Sequence, residues 1–154
     1  MTYLLKKEKR QRLRQQQQTD DDNRPLFFER KIDEVTASLR TEYSRLLYTL
    51  TVQNALFIAD YILSMKTEVN LSDNYREAVI KLLCKISKYH NNKKSFETMT
   101  RNDIVSFLES FRKPEALDPL HKWIGTYNLY RILLIRFFKW LYHPDVEPEK
   151  KAKT

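Results

Sequence analysis

A single glycine, Gly125, in 154 residues limits this chain more than any other feature. Loops that cradle phosphates need several glycines so that the backbone can approach the anion closely. Neither a P-loop nor a dinucleotide-binding fingerprint can therefore be written into this sequence. Two-residue hairpins also favour glycine, which argues against an all-β fold. What remains is helix, and 42% apolar residues are enough to give helices a core. The expected fold class is all-α: a four-helix domain preceded by an additional N-terminal helix and a disordered basic tail.

The charge balance points to a class of partner. With 28 lysines and arginines against 20 acidic residues, the formal net charge is +8, which favours polyanions. A generic basic surface would show the same balance. No apolar run nears the ~18–20 residues of a membrane span, so a membrane partner is not expected. Tyr3-Leu4-Leu5 runs at once into Lys6, Lys7, Glu8, Lys9 and Arg10, which is no signal-peptide core. The one cysteine, Cys84, cannot form an internal disulfide and fits a reducing cytoplasm, packed on a helix.

Four segments follow from the patterning. Residues 1–24 join the basic stretch Lys6 to Arg14 to Gln15-Gln16-Gln17-Gln18 and Asp20-Asp21-Asp22, a low-complexity composition expected to be disordered. Residues 25–52 form a helical extension, with Phe28, Ile32, Val35, Leu39, Leu46 and Leu50 in a rhythm of threes and fours. That rhythm suits either a short dimerisation seam or packing on the chain's own body. Residues 53–145 read as the main domain and 146–154 as a charged linker.

Within the domain, one helix runs from about Val52 to Met65, with Leu56, Ala59, Ile62 and either Ile58 or Met65 inward. A second starts after Ser72 as N-cap and reaches Tyr89. Thr100 caps a third, which carries Ile104, Phe107 and Leu108 and stops before Pro114. A fourth is expected to open at Gly125-Thr126, with Thr126 as N-cap, and to run to Tyr142 before His143-Pro144.

Two helices offer faces to a polyanion. At about 100° per residue, Tyr75, Val79, Leu82, Leu83, Ile86 and Tyr89 share one side of the second helix. Asn74, Lys81, Lys85 and Lys88 share the other, with Glu77 nearby and Arg76 at the margin. Such lysines either track a phosphate rail or simply solvate an amphipathic helix. The fourth helix is apolar nearly all round, from Leu129 to Leu141, and is expected to be central to the core. Its narrow polar strip holds Asn128, Arg131, Arg136 and Lys139, with Ile135 among them. Asparagine can read adenine and arginine guanine, and either can equally bind phosphate. Phe137, Phe138 and Trp140 read as core.

Chemistry finds little support. His90, His121 and His143 lack metal-ligand spacing and a nearby cysteine pair, and no context marks an activated nucleophile. The expectation is no catalytic residue, no metal, no cofactor and no small-molecule substrate.

The stretch Leu120-His121-Lys122-Trp123-Ile124-Gly125-Thr126-Tyr127-Asn128, with Arg131, Phe137-Phe138-Lys139-Trp140-Leu141-Tyr142 and Pro144-Asp145, resembles the last helix of the core-binding (SAM-like) domain of archaeal-type tyrosine recombinases. Thr100-Arg101-Asn102-Asp103-Ile104 and Phe107-Leu108 resemble that family's third helix, and the likeness covers roughly residues 53–150. The resemblance implies one half of a clamp around duplex DNA, in DNA integration and site-specific recombination, with the second and fourth helices facing the duplex. The DNA-facing set is then Asn74, Arg76, Lys81, Lys85, Lys88, Thr126, Asn128, Arg131, Arg136 and Lys139. Strand cleavage in that family belongs to a following domain with a His-x-x-Arg box. Here His90 leads to Lys93, His121 to Ile124 and His143 to Val146, so no catalytic residue carries over. Double-stranded DNA is the expected partner, with a homo-oligomer or an intact integrase on that DNA as further ones. A stand-alone DNA-binding regulator and a helical protein-interaction module are the alternative functions.

Overall fold

The computed structural model describes residues 26–65 and 72–142; the segments expected to be a tail (1–24) and a linker (146–154) lie outside them. Six α-helices and one 3-10 turn make up the regular structure of the described residues, with no strand. They are α1 (Leu26–Thr36), α2 (Thr41–Tyr48), α3 (Val52–Ser64), α4 (Asp73–Tyr89), the turn Phe96–Thr98, α5 (Arg101–Glu109) and α6 (Trp123–Tyr142). The protein is all-α.

The apolar rhythm of residues 28–50 is used within the chain. Phe28, Ile32, Val35, Leu39, Leu47 and Leu50 are buried in the same core cluster as the helices that follow, so the extension is part of the domain body. It is also two helices rather than one. The Leu39 N–H turns back to the Thr36 carbonyl (3.0 Å), while the Arg40 N–H donates to Glu77 Oε1 on α4 (3.3 Å). No proline or glycine lies in Ala37-Ser38-Leu39-Arg40. The break is held by a tertiary carboxylate, which local sequence does not announce.

Side-chain caps hold three helix starts; those at Ser72 and Thr100 are expected from the sequence, and that at Thr51 is not. The Thr51 side chain accepts from the Asn54 N–H, Ser72 from Tyr75, and Thr100 from Asp103, whose carboxylate reciprocates in a capping box. Both Ile58 and Met65 are buried. The central helix is α4, not α6: Val79, Ile80, Leu82, Leu83, Cys84, Ile86 and Ser87 are all buried along it. In α6 the buried residues are Leu133, Leu134, Phe137 and Phe138. A twenty-residue helix spans about 30 Å, and these buried residues all lie in its C-terminal half. Its C-terminal half therefore covers the core, while its N-terminal half projects beside α5 and leaves Ile124, Leu129 and Ile132 roughly half exposed.

One buried amide holds this arrangement. Asn54 Nδ2 donates to Ser87 Oγ (3.1 Å) and to the Lys94 carbonyl (3.0 Å), and Asn54 Oδ1 accepts from the Phe96 N–H (3.0 Å). Phe96, fully buried, then meets Phe137 edge to face at 5.1 Å. Sequence to site is a short path here: an α3 amide fixes the Phe96 turn, and that turn seats the C-terminal half of α6.

Candidate nucleic-acid interface

Helices α4 and α6 run side by side in opposite senses, tied by two hydrogen bonds. Arg136 Nη1 donates to Tyr75 Oη (2.9 Å), and Lys85 Nζ donates to Tyr130 Oη (3.3 Å). Lys85 also lies 5.6 Å from the Tyr130 ring centroid, a cation–π distance. These ties join the solvent face of α4 and that of α6 into one side of the molecule. Lys81, Lys88 and Asn74 are exposed on the α4 part, and Lys85 is half-buried. Both tyrosines carry the site without having read as part of it, because their rings count as apolar in a helical pattern. Their hydroxyls are the relevant groups.

Two expectations about α4 need correction. Arg76 is buried, at 7% exposure, and its guanidinium pairs with the Asp73 carboxylate one turn earlier. It is an internal ion-pair partner and not part of the candidate interface. Glu77 is likewise buried, where its Oε2 accepts from Arg40 Nη2 at 3.0 Å; that pairing raises the Arg40 pKa. A long flexible stem at the margin of an apolar stripe can turn either way, and partners just before α2 and in the first turn of α4 decide it. The inward turn of Glu77 leaves the exposed α4 face with lysines and no opposing carboxylate beside them, since Asp73 is engaged by Arg76 and by Ser38 Oγ (3.0 Å).

Helix α6 contains no aspartate or glutamate in twenty residues. Asn128, Arg131 and Lys139 are exposed, and Arg136 is half-buried at its tie to Tyr75. At ~100° per residue, Arg136 occupies the edge next to α4, Asn128 and Lys139 lie mid-face, and Arg131 lies toward the opposite edge. The expected polar strip is thus wider and less polar, because Ile124, Ile132 and Leu129 share the outward side with it.

The start of α6 differs from the sequence expectation. The helix begins at Trp123, whose N–H donates to Asp118 Oδ2 (2.9 Å), so Asp118 and not Thr126 serves as the cap. Hydrogen bonds from the Trp123 backbone N–H and, less, from that of Lys122 hold the Asp118 carboxyl below the usual carboxylate range. Thr126 is exposed within the first turns. The signal for this cap was Asp118-Pro119, a turn-initiating pair. The loop before it is two consecutive turns, Asp118 N–H to the Pro114 carbonyl (3.0 Å) and His121 N–H to the Asp118 carbonyl (3.1 Å). His121 takes a positive φ of 51°.

Other chemistry-bearing groups do not converge. Among the described residues no three His, Cys, Asp or Glu side chains are grouped as metal ligands. Cys84 is buried and its thiol is pushed up to about 12 by desolvation, which removes the thiolate a nucleophile requires. His90 Nε2 is 3.2 Å from the Asp103 carbonyl on α5. No described helix is long and apolar enough to cross a membrane. Comparison with known protein families, curated proteins and solved structures found no match.

Proposed function

We propose that the chain binds double-stranded DNA without cleaving it, as the core-binding module of a tyrosine recombinase acting in site-specific recombination. The observation that carries this reading is the joined α4–α6 face, tied by Lys85–Tyr130 and Arg136–Tyr75, with cations from both helices and no carboxylate in α6. Lys81, Lys85 and Lys88 follow the phosphates. The projecting half of α6 enters the major groove, which is about 12 Å wide and admits a helix. There Asn128 and Arg131 meet base edges, and the exposed Ile132 meets thymine methyl groups.

Duplex affinity measured by gel shift over a salt series tests the proposal. Four phosphate contacts, from Lys81, Lys85, Lys88 and Lys139, give a slope of log affinity against log salt near −3 to −4, at roughly −0.9 per contact. Replacing the three α4 lysines by alanine brings the slope to about −1. Duplex binding that is absent or indifferent to salt, in a chain whose helices are intact by circular dichroism, would remove the DNA reading. The half-exposed Ile124, Leu129 and Ile132 favour a second reading, a helical protein-interaction module, and that outcome would leave it standing.

A further inference from the structure

Beside the first turn of α6 is a cavity of about 200 Å3, lined by Phe111, Lys113, Leu117, Asp118, Lys122, Trp123 and Thr126. Its walls combine two chemistries: Phe111 and Trp123 present aromatic rings, and Lys113 and Lys122 bring two ammonium groups. The Arg112 guanidinium lies over the indole, 5.2 Å from the ring centroid. The one carboxylate of the lining, Asp118, is already engaged by the Trp123 N–H.

We propose that this cavity holds an unstacked nucleotide of a DNA strand. The base lies against Trp123 and Phe111, and the adjoining phosphates lie at Lys113 and Lys122. This deepens the DNA reading above and rests on it. A matched duplex keeps its bases in the stack and cannot fill the site. A base already unpaired costs least to accommodate, and base–aromatic stacking is tolerant of which base is offered. The occupant is therefore an extrahelical or single-stranded nucleotide beside the duplex that the α4–α6 face grips. The loop suits this task because its two turns and the Asp118 cap fix the aromatic wall before any ligand arrives.

The test compares a short matched duplex, the same duplex carrying one extrahelical thymidine, and free thymidine monophosphate, all binding to the full chain. The bulged duplex should bind about tenfold more tightly than the matched one, from the stacking of one base. Trp123→Ala should erase that preference and leave matched-duplex affinity and its salt slope in place. Lys113→Ala with Lys122→Ala, at exposed positions, should reduce the preference without disturbing the fold. In a Trp140→Phe background, Trp123 is the sole tryptophan, and its fluorescence should be quenched by the bulged duplex. Equal affinity for both duplexes, each with a steep salt slope, would overturn this inference and keep the DNA-binding face. No binding of either duplex would overturn both. Monophosphate binding as tight as the bulged duplex would overturn the strand assignment and leave a free nucleotide as the ligand.

Discussion

Replacing Asn54 by alanine tests how the fold holds the candidate interface. The Asn54 amide makes three hydrogen bonds of 3.0 to 3.1 Å, to Ser87 Oγ, the Lys94 carbonyl and the Phe96 N–H, and is itself fully buried. Removing it leaves the Phe96 N–H and the Lys94 carbonyl without that partner, while Ser87 Oγ keeps its bond to Asn92 Oδ1 (2.9 Å). The orphaned Phe96 N–H is buried and costs about 1–3 kcal/mol, the part-buried Lys94 carbonyl less, so the variant should lose roughly 2–4 kcal/mol. For a domain with a urea slope of about 1–3 kcal/mol per molar, the midpoint falls by ~2 M. The consequence should reach α6, because Phe96 supports Phe137 at 5.1 Å and Phe138 at 6.4 Å. Amide exchange at Leu134, Phe137 and Phe138 should accelerate along with the global loss. A midpoint shift below about 0.3 M, or a destabilised protein whose α6 amides keep their relative protection, would refute the path from Asn54 through Phe96 to α6.

Three other outcomes separate the roles assigned to individual groups. Lys85→Ala should make the salt slope of duplex binding shallower by about one unit, whereas Arg76→Ala should leave that slope alone and cost about 1–2 kcal/mol of stability by urea titration, since Arg76 is internal. Asp103 is held down to about 2, chiefly by its bond to Lys94 and then by the Thr100 backbone. A carboxylate depressed in the folded state stabilises above its unfolded value near 4 and loses that contribution as pH falls toward 2, so stability should drop across that window and Asp103→Asn should flatten the drop. The Cys84 thiol, buried and pushed up to about 12, should react with a disulfide reagent roughly a thousandfold more slowly than an ordinary cysteine until denaturant is added.

Helix content and most helix starts were legible because local chemistry decides them. Thr51, Ser72 and Thr100 each precede a periodic apolar run, and each hydroxyl makes the bond its position invites. The break between α1 and α2 was not legible, because the group that stabilises it, Glu77, lies 37 residues from Arg40. The centrality of α6 was misread for a related reason. An all-round apolar helix signals burial only where other elements surround it, and nothing in its sequence says that α5 and the 112–122 loop flank the N-terminal half on one side only. Arg76 failed as a surface residue because helical angle alone cannot say which way a margin side chain turns. Lys81 and Lys88 are exposed as their helical angle implies, while Lys85 of the same row is half-buried at its tie to Tyr130.

What separates a DNA reader from a merely basic surface is how firmly the polar groups are held. On the proposed DNA-binding reading, lysine stems on α4 are point charges on flexible chains that would carry affinity without sequence information. Asn128 and Arg131 differ because their helix is fixed at its far end by Phe137 and Phe138 in the core, at its side by the two tyrosine ties and at its start by Asp118. A donor held on a rigid helix can meet a base edge repeatedly in one geometry, and a mobile one cannot. The same fixing explains why the cations nearest the seam are the ones partly withdrawn. Lys85 and Arg136 orient Tyr130 and Tyr75, Lys85 being proposed to reach a phosphate from the seam as well, while Lys81, Lys88, Arg131 and Lys139 stand further out on the face. Affinity is thus expected from the outer lysines, and discrimination from the one helix that the core does not allow to turn.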